Sequence, residues 1–421
     1  MKAGWKKAVA VIAAATMCAA ACSSGGSKSS GGSTGSATSA GHTTRGVTAT
    51  SIDVGVLAVL STPLALTGFD TGVKAAFAPV NAAGGVDGRR INVTAIADDG
   101  ANASTDLAAA QKLVLQDKVF AIAFATQSLA SATFLEQQHV PTVGWDISPQ
   151  GCYQSYIFGI DGCLVPSQNV QFGLGSPKII KQLLPAGAPQ TVAVTLDDTV
   201  AGRAAAKQCT QPFTDEGFKV VASPSIPTAG VSDYSPYAQQ IMTADGGKPP
   251  SAVFECSSAG SIIGIAGALQ SAGYKGLQMN GVLYDPRLLL SKQLAASLND
   301  TYVENLWDPY QATTPAIEQM VTNLKAEDPN VLLGLAAQAG YWTGELLVAM
   351  LQKAGPNLTA ESLVNAVNGG FTWGVAGGIC PESFPAAHSS GSAGAGAVEL
   401  TNDHYTLAIP VKCDWGSVPE K

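Results

Sequence analysis

The sequence predicts an α/β protein built from parallel sheets that are covered by helices. Two observations predict this class. Short apolar runs rich in β-branched residues alternate with helix-compatible stretches, and the loops between them are rich in Ser, Thr, Asp and Gly. Hydrophobic residues make up 46% of the 421 positions, so the chain can bury a large core. A chain of this length also favours a division into two or more lobes.

The alternation begins with a strand over 52–59 and a helix over 69–83, which ends at the C-cap signal Gly84-Gly85. A second strand is predicted over 91–97. Helix, strand, helix and strand then follow over 103–116, 119–124, 128–138 and 142–145.

The second half of the chain repeats the pattern. A strand over 191–196 precedes a helix that runs through Gln208. Further strands are predicted over 218–222, 252–255 and 277–280, with helices between them. Any one of these short runs is also compatible with a buried helix turn, so the prediction rests on the alternation as a whole.

Charge is sparse and its balance is acidic. Only 13% of the residues are charged, against about 25% in a typical soluble domain, and the formal net charge is −8. No run of Lys and Arg supplies the basic stripe that nucleic-acid binding requires. The composition therefore excludes nucleic acid as a partner.

Residues 1–21 have the features of an export signal peptide. Three Lys residues precede an apolar stretch over 8–21, which is shorter than the roughly 20 residues that a membrane-spanning helix needs. The stretch ends in Ala19-Ala20-Ala21-Cys22, which resembles a bacterial lipobox. We therefore expect Cys22 to be lipidated and to anchor the protein to the outer face of the bacterial cell membrane. Plain secretion with cleavage after the Ala residues is the alternative.

Residues 22–50 are predicted to form a tether. They consist almost entirely of Ser, Gly, Thr and Ala, without apolar periodicity, and therefore have little to bury. A flexible linker of this length has a root-mean-square reach of roughly 30 Å. Such a tether would hold a folded body just above a membrane surface.

Cysteine usage agrees with export. Apart from Cys18 and Cys22, the chain has six cysteines, an even number that suggests disulfides with 15 possible connectivities. The sequence contains no C-x-x-C and its four His residues are scattered, so neither a zinc site nor another cofactor is expected. The six are Cys152, Cys163, Cys209, Cys256, Cys380 and Cys413.

The predicted architecture also indicates where a ligand would bind. In open α/β sheets, ligands bind beyond the carboxyl ends of the strands, where loops lead into helices. These loops supply hydroxyl groups, backbone N–H groups and positive helix ends that suit a polar or anionic ligand. Helix capping alone is the alternative explanation for the same residues. The loops concerned are 60–68, 125–128, 145–148, 197–201 and 256–260.

The segment VNAAGGVDGRRI at 80–91, which leads into Asp98-Asp99, resembles the branched-chain amino-acid (Leu/Ile/Val) type of solute-binding protein. These proteins are receptors of ABC importers and have the type I periplasmic-binding-protein fold. The resemblance runs from Ile52 to the C-terminus. Later elements of the family are matched, in order, by 108–114, 140–144, 337–355 and 405–411.

The resemblance implies two Rossmann-like lobes joined by three crossovers, with a small-molecule ligand clamped between them by hinge closure. It also implies ABC permease subunits as partners, and disulfides that pair Cys152–Cys163, Cys209–Cys256 and Cys380–Cys413. Lobe 1 would contain 51–164 and 309–385, and lobe 2 would contain 165–308 and 386–421.

The loop rule and the resemblance together give a set of candidate ligand-binding residues. Where the family has an acidic partner for the ligand's ammonium group, this chain reads Gly281-Val282-Leu283, with Tyr284 and Asp285 beyond. Glu255 is a second possible substitute. The ligand classes left open are an amino acid, an amide and a small carboxylate. The candidates are Ser61, Thr67, Gln127, Ser128, Asp146, Ser148, Asp197, Ser258, Tyr284 and Asp285.

Other functional classes find less support in the sequence. The chain has no G-x-S-x-G, H-E-x-x-H or Walker A motif, so an enzyme is not expected. A ligand-sensing surface receptor of the same fold, without transport, remains an alternative. A non-binding structural lipoprotein is another.

Overall fold

The structure of the protein is a computed structural model that describes residues 44–62, 65–229, 231–391 and 394–421. The predicted signal peptide, Cys22 and most of the predicted tether lie outside the described residues. In the described part of the chain, no helix combines the length and apolar character that crossing a membrane requires.

The last residues of the predicted tether pack against the folded body. Arg45 Nε donates a hydrogen bond to the carbonyl oxygen of Val119 at 2.9 Å, and Val47 forms an antiparallel bridge with Ile52. Residues at the end of the predicted tether therefore have partners in the folded body, and the boundary of the tether at residue 50 stays a prediction. A polar Ser/Gly/Thr composition does not reveal that backbone groups in this segment find partners in the fold.

A five-stranded parallel sheet forms the first lobe, with strand order β2-β1-β3-β4-β5. The helix α2 continues as a π-helical turn over Lys112–Gln116. The elements are β1 (Ser51–Ala58), α1 (Phe69–Ala82), β2 (Arg90–Asp98), α2 (Ala103–Gln111), β3 (Ala121–Ala125), α3 (Ala132–Gln137), β4 (Thr142–Gly144) and β5 (Ile157–Gly159).

The middle of the chain contributes most of the second lobe. A 3-10 turn over Pro286–Leu290 precedes its last helix. The elements are β6 (Gln171–Gly173), α4 (Gly175–Leu183), β7 (Thr191–Asp197), α5 (Val200–Asp215), β8 (Lys219–Ala222), β9 (Ser225–Ile226), α6 (Ser235–Met242), β10 (Ala252–Cys256), α7 (Ala259–Ser271), β11 (Leu277–Asn280), α8 (Lys292–Ser297) and β12 (Thr301–Asn305).

The remaining chain adds to both lobes. Its helices pack with the first sheet, and two of its strands complete the second sheet, whose order is β16-β15-β12-β11-β10-β7-β8 with β9 beside β7. The elements are α9 (Pro315–Glu327), α10 (Leu335–Ala354), α11 (Ala360–Asn368), β13 (Phe371–Val375), β14 (Ile379–Phe384), β15 (Ala395–Thr401), β16 (His404–Lys412) and β17 (Ser417–Pro419).

The predicted α/β class with parallel sheets in two lobes is confirmed, and antiparallel pairs, including β13 with β14 and β6 with β17, add to the parallel sheets. Strands β15 and β16 run antiparallel at one edge of the second sheet. They form a hairpin through Asn402 and Asp403, both at positive φ, and a connection this short can join only antiparallel strands.

Two hydrophobic cores pack against the sheet of the first lobe. The smaller contains residues of α2, β3 and α3, and the larger lies against α1 and α10. Residues of β1, α1, α10 and α11 share it with Trp307, which follows the last parallel strand of the second sheet. Helices α1 and α10 approach each other at glycines, since a Cβ at Gly72 would overlap the carbonyl group of Ala337, and one at Gly340 would overlap that of Phe69. Small residues therefore set the distance between these two helices.

The chain passes between the two lobes three times. It leaves the first sheet after β5, returns after β12, and crosses again after β14. The exact boundaries given by the resemblance stay predictions. The structure contains the disulfides Cys152–Cys163, Cys209–Cys256 and Cys380–Cys413.

Candidate ligand-binding site

A cavity of about 370 Å³ lies between loops of the two lobes. The first lobe supplies the loops that follow β1, β3 and β4, and the second lobe supplies those that follow β10 and β11. All five loops leave the carboxyl ends of parallel strands, as the α/β rule predicts. The first turn of α10 completes the wall.

The lining is mainly apolar. Val282 and Leu332 are 45% and 38% exposed, so the cleft presents apolar surface to solvent. Such a surface is typical of a ligand-binding site in which a few polar groups fix the orientation of the ligand. The lining consists of Ala65, Leu66, Thr67, Gln127, Trp145, Ile147, Ser258, Ala259, Val282, Tyr284, Asp285, Pro286, Arg287, Leu332, Gly334, Leu335 and Ala336.

Arg287 bridges the cleft. Its Nε donates to the two carboxylate oxygens of Asp285, at 3.0 and 2.8 Å, and its Nη2 donates to Asp285 Oδ2 at 2.5 Å. The same Nη2 donates to the carbonyl oxygen of Ala65 at 2.9 Å, on the opposite lobe. Hydrogen bonding to Asp285 raises the pKa of Arg287, so the cavity holds a permanent cation.

Two helix N-termini also face the cavity. Ser258 and Ala259 begin α7, and Gly334 and Leu335 begin α10. The first turn of a helix carries partial positive charge and N–H groups without an intrahelical partner. The cavity therefore combines a guanidinium with two positive helix ends, and Asp285 is the one carboxylate in its lining.

Tyr284 is held by the protein itself. The side chain is 2% exposed; its hydroxyl donates to Gln311 Oε1 at 2.7 Å and accepts from the backbone N–H of Tyr310 at 2.9 Å. Its ring packs edge-on against Tyr405, with centroids 5.1 Å apart. Tyr284 thus lines the cavity in a fixed position, and its hydroxyl group is already satisfied by the protein.

Of the ten residues predicted from the sequence, the structure brings five into the lining: Thr67, Gln127, Ser258, Tyr284 and Asp285. Asp285 is engaged by Arg287, so it does not present an unpaired carboxylate to a ligand. Their roles in binding stay predictions.

Two of the predicted residues are buried beneath the cleft. Ser148 is fully buried; its hydroxyl accepts from the N–H of Leu129 at 3.0 Å and donates to Gln150 Oε1 at 2.5 Å. Asp146 is 2% exposed, and burial raises its pKa to about 7. Both side chains support the loop after β4 rather than line the cavity.

The other three predicted residues also lie outside the lining. Asp197 accepts hydrogen bonds from Ser258 and from Ser261 Oγ, and so holds the N-terminus of α7. A hydrogen bond from Ser61 lowers the pKa of Asp98. Ser128 is partly buried in the loop after β3. Asp197 thus has the helix-capping role that was the alternative to ligand contact, whereas Ser61 bonds to a carboxylate. The roles of both residues in ligand binding stay predictions.

Glu255, the second possible ammonium partner, does not reach the cleft cavity. It lies on β10, is 2% exposed, and burial raises its pKa well above the usual value. Because Glu255 does not line the cavity, it is not placed to pair with the ammonium group of a ligand there.

Sequence reasoning missed Arg287 and the first turn of α10. Arg287 follows Asp285 by two positions, so a longer estimate of the loop after β11 would have included it. The start of α10 follows no sheet strand directly, so the strand-end rule offers no signal for it.

The fold defines a class of protein, the two-lobed α/β binding proteins, and the cavity between the lobes is the candidate solute site. The model of the periplasmic binding protein family matches residues 51–395, and the chain belongs to this family. The family resemblance seen in the sequence is thereby confirmed. A sequence comparison with curated proteins finds no match.

Solved structures share the fold. One is a fatty acid ABC transporter substrate-binding protein from Thermomonospora curvata, at 18% identity and a TM-score of 0.67, covering 88% of this chain and 94% of that one. Another is a solute-binding protein of an ABC transporter from R. palustris in complex with 4-hydroxybenzoate, at 22% identity and a TM-score of 0.65, covering 87% and 98%. A third is an ABC transporter substrate-binding protein from Sphaerobacter thermophilus, at 20% identity and a TM-score of 0.68, covering 88% and 98%.

Proposed function

We propose that the protein is the extracytoplasmic receptor of an ABC importer and that its ligand is a small carboxylic acid with an apolar body. The ligand is captured between the lobes, the lobes close, and the closed form delivers the ligand to the permease in the membrane. A lipid on Cys22 anchors the receptor to the outer face of the cell membrane. The protein binds and releases its ligand without chemical change.

The observation that carries this proposal is the position of Arg287 in the cleft cavity. A guanidinium matches a carboxylate with two parallel hydrogen bonds, and the helix N-termini of α7 and α10 add to the attraction for an anion. Because Arg287 lies on one lobe and bonds to the other, a ligand bound to it would contact both lobes. Such a ligand favours the closed arrangement over the open one.

The rest of the lining selects among the three ligand classes that the sequence leaves open. An amino acid's ammonium group needs a carboxylate partner, and the lining's one carboxylate, Asp285, already pairs with Arg287. A buried, unpaired ammonium group is costly. An apolar chain or ring, in contrast, would be covered by side chains such as Leu66 and Leu335. The structural relatives named for fatty acid and for 4-hydroxybenzoate agree with this class.

A thermal-shift comparison of matched ligands tests the proposal. The pairs are 4-methylpentanoate with leucine, which differ by the ammonium group, and 4-hydroxybenzoate with 4-hydroxybenzamide, which differ by the charge. A ligand present at about 100 times its Kd adds about 2.7 kcal/mol to the stability. We expect an acid to raise the Tm more than its matched partner does, and Arg287→Gln to abolish the shift.

Two results would contradict the ligand class. One is a larger shift with leucine than with 4-methylpentanoate, and the other is an undiminished shift in the Arg287→Gln variant. The anchor is tested separately, since Cys22→Ser should move the protein from the membrane fraction to the medium. Retention of that variant in the membrane fraction would overturn the lipid anchor without affecting the ligand class.

A further inference from the structure

A second and larger cavity, of about 590 Å³, lies in the second lobe beside the three chain passages. Its walls come from β6, α4, α5 and β10, and it shares no lining residue with the cleft cavity. Its volume falls within the range of about 300–1,000 Å³ that is usual for small-molecule sites. The proposed importer function makes no use of it.

One side of this cavity is aromatic. Phe172, Phe213 and Phe254 line it, and each is at most 9% exposed. The rings of Phe213 and Phe254 lie 5.1 Å apart between centroids. Pro177 and Pro212 add apolar surface. This surface favours an apolar ligand body and attracts cations through the ring faces.

The other side carries a single acidic side chain, Glu304. Glu304 reaches the cavity from β12, and Ser176 Oγ donates to its two carboxylate oxygens at 3.0 and 2.8 Å. No Lys or Arg lines the cavity, and Glu304 forms no ion pair within the described part of the chain. Burial raises the pKa of Glu304 to about 7, which reflects the cost of an unpaired carboxylate at this position.

We propose that this cavity is a second small-molecule site that binds an organic ammonium ion with an apolar body. The ammonium group pairs with Glu304 and Ser176, and the apolar part packs against Phe172, Phe213 and Phe254. The charge preference is opposite to that of the cleft, so the two sites take different ligands. Because the chain passes between the lobes beside this cavity, an occupant would contact the segments that move when the lobes close.

Titration calorimetry on the mature chain tests the second site. The probes are hexylamine and 2-phenylethylamine as ammonium ions, with hexan-1-ol and 2-phenylethanol as neutral controls of the same shape. We expect at least one amine to bind at least about tenfold more tightly than its alcohol, as for a charge-assisted hydrogen bond. Glu304→Gln should remove this preference, while Arg287→Gln in the cleft should leave it intact.

The comparison of amine with alcohol uses the unaltered protein, so it does not depend on how the variant folds. Ser176→Ala is a second variant, and it should weaken amine binding without removing the charge. Equal affinity for amine and alcohol, absence of saturable amine binding, or full amine affinity in a folded Glu304→Gln variant would each overturn the proposal. If Arg287→Gln lost amine binding and Glu304→Gln kept it, the amine would bind in the cleft, and the proposal of a second site would be overturned.

Discussion

At the scale of single residues, a half-buried ion pair dominates the candidate site. Arg287 brings a cation into the cleft, and Asp285 both neutralises it and holds its position. A ligand carboxylate therefore competes with Asp285 for the same guanidinium. The affinity for an anion therefore depends on the difference in free energy between the Arg287–ligand ion pair and the Arg287–Asp285 ion pair.

Replacing Asp285 by a neutral side chain should strengthen the binding of a carboxylate ligand. In Asp285→Asn, the side-chain oxygen can still accept from the N–H of Arg287, as Asp285 Oδ1 does at 2.8 Å, so the 3-10 turn is retained. We expect the affinity for a carboxylate ligand to rise by about tenfold, because a like charge next to the ligand is removed. Calorimetry measures the change, with 4-hydroxybenzamide as the neutral control. Weaker carboxylate binding would show that Asp285 positions Arg287 more than it competes.

Asp146 makes stability depend on pH. Its pKa is raised to about 7 by burial, so the folded protein binds a proton that the unfolded chain has already released. Stability is therefore lost as the pH rises from the unfolded value, near 4, through about 7, and it is constant above that range. The contribution of this carboxyl between about pH 5 and about pH 8 is on the order of 2–3 kcal/mol.

The variant Asp146→Asn isolates this contribution, because an amide does not titrate. Urea unfolding should show a shallower fall of stability with pH in the variant than in the wild type. Other buried carboxyl groups, Asp161, Glu255 and Glu304, also have pKa values raised by burial and keep a remaining slope in both proteins. An identical slope in wild type and variant would show that Asp146 stays ionised in the fold.

At the scale of elements, the contact between α1 and α10 connects the walls of the cleft cavity with the core of the first lobe. Helix α1 follows the loop that carries Ala65 and Thr67, and α10 brings its first turn to the cavity. Glycines let the two helices touch along their backbones, and nearly all of the middle of α10 is buried. Their separation therefore decides the position of two of the cavity's walls.

A pair of glycine substitutions tests this packing. Gly72→Ala in α1 places a methyl group on the backbone of α10, and we expect a loss of about 2 kcal/mol or more. Gly267→Ala in α7 is the matched control, since its new Cβ would lie 3.8 Å from the nearest neighbour, Ser297 Cβ. The control should gain about 0.5–1 kcal/mol from helix propensity. Equal effects on the urea midpoint would contradict the close approach of the two helices.

At the scale of the whole molecule, one disulfide joins the lobes. Cys380 lies on β14, which packs in the core of the first lobe, and Cys413 directly follows β16 of the second sheet. The other two bonds each join residues of one lobe. The Cys380–Cys413 bond therefore limits how far the lobes can separate near one of the chain passages.

Removing the Cys380–Cys413 disulfide should lower the stability of the protein and let its lobes separate further. The Cys380→Ser/Cys413→Ser double variant is expected to lose about 3–4 kcal/mol of stability and to show a larger radius of gyration in X-ray scattering without ligand. Cys152→Ser/Cys163→Ser is the control. It should lose stability without expanding, because that bond lies within one lobe. Expansion of both variants to the same degree would contradict the inter-lobe role.

Much of the fold could be predicted from the sequence, and less of the site. The runs at 52–59 and 191–196 formed strands because their apolar, β-branched side chains fit a sheet that is buried on both faces. The resemblance placed 386–421 in lobe 2, but the antiparallel pairing of β15 and β16 was not predicted, since strand pairing depends on partners far away in the chain. Among the predicted site residues, the cavity is lined by Thr67, Gln127 and Ser258. Ser148 and Asp197 instead accept hydrogen bonds from neighbouring groups of the protein.

The sequence by itself determined the α/β class and the family. Apolar periodicity, glycine turns and the motif at 80–91 are local features, and local features are enough to specify elements and their order. Only the tertiary structure decided which polar side chains face the cleft. That choice depends on which partner each carboxylate or hydroxyl meets after packing. Asp285 meets Arg287, whereas Asp146 is buried with no ion pair to a cation in the described part of the chain, and this difference supports the proposed anion site in the cleft.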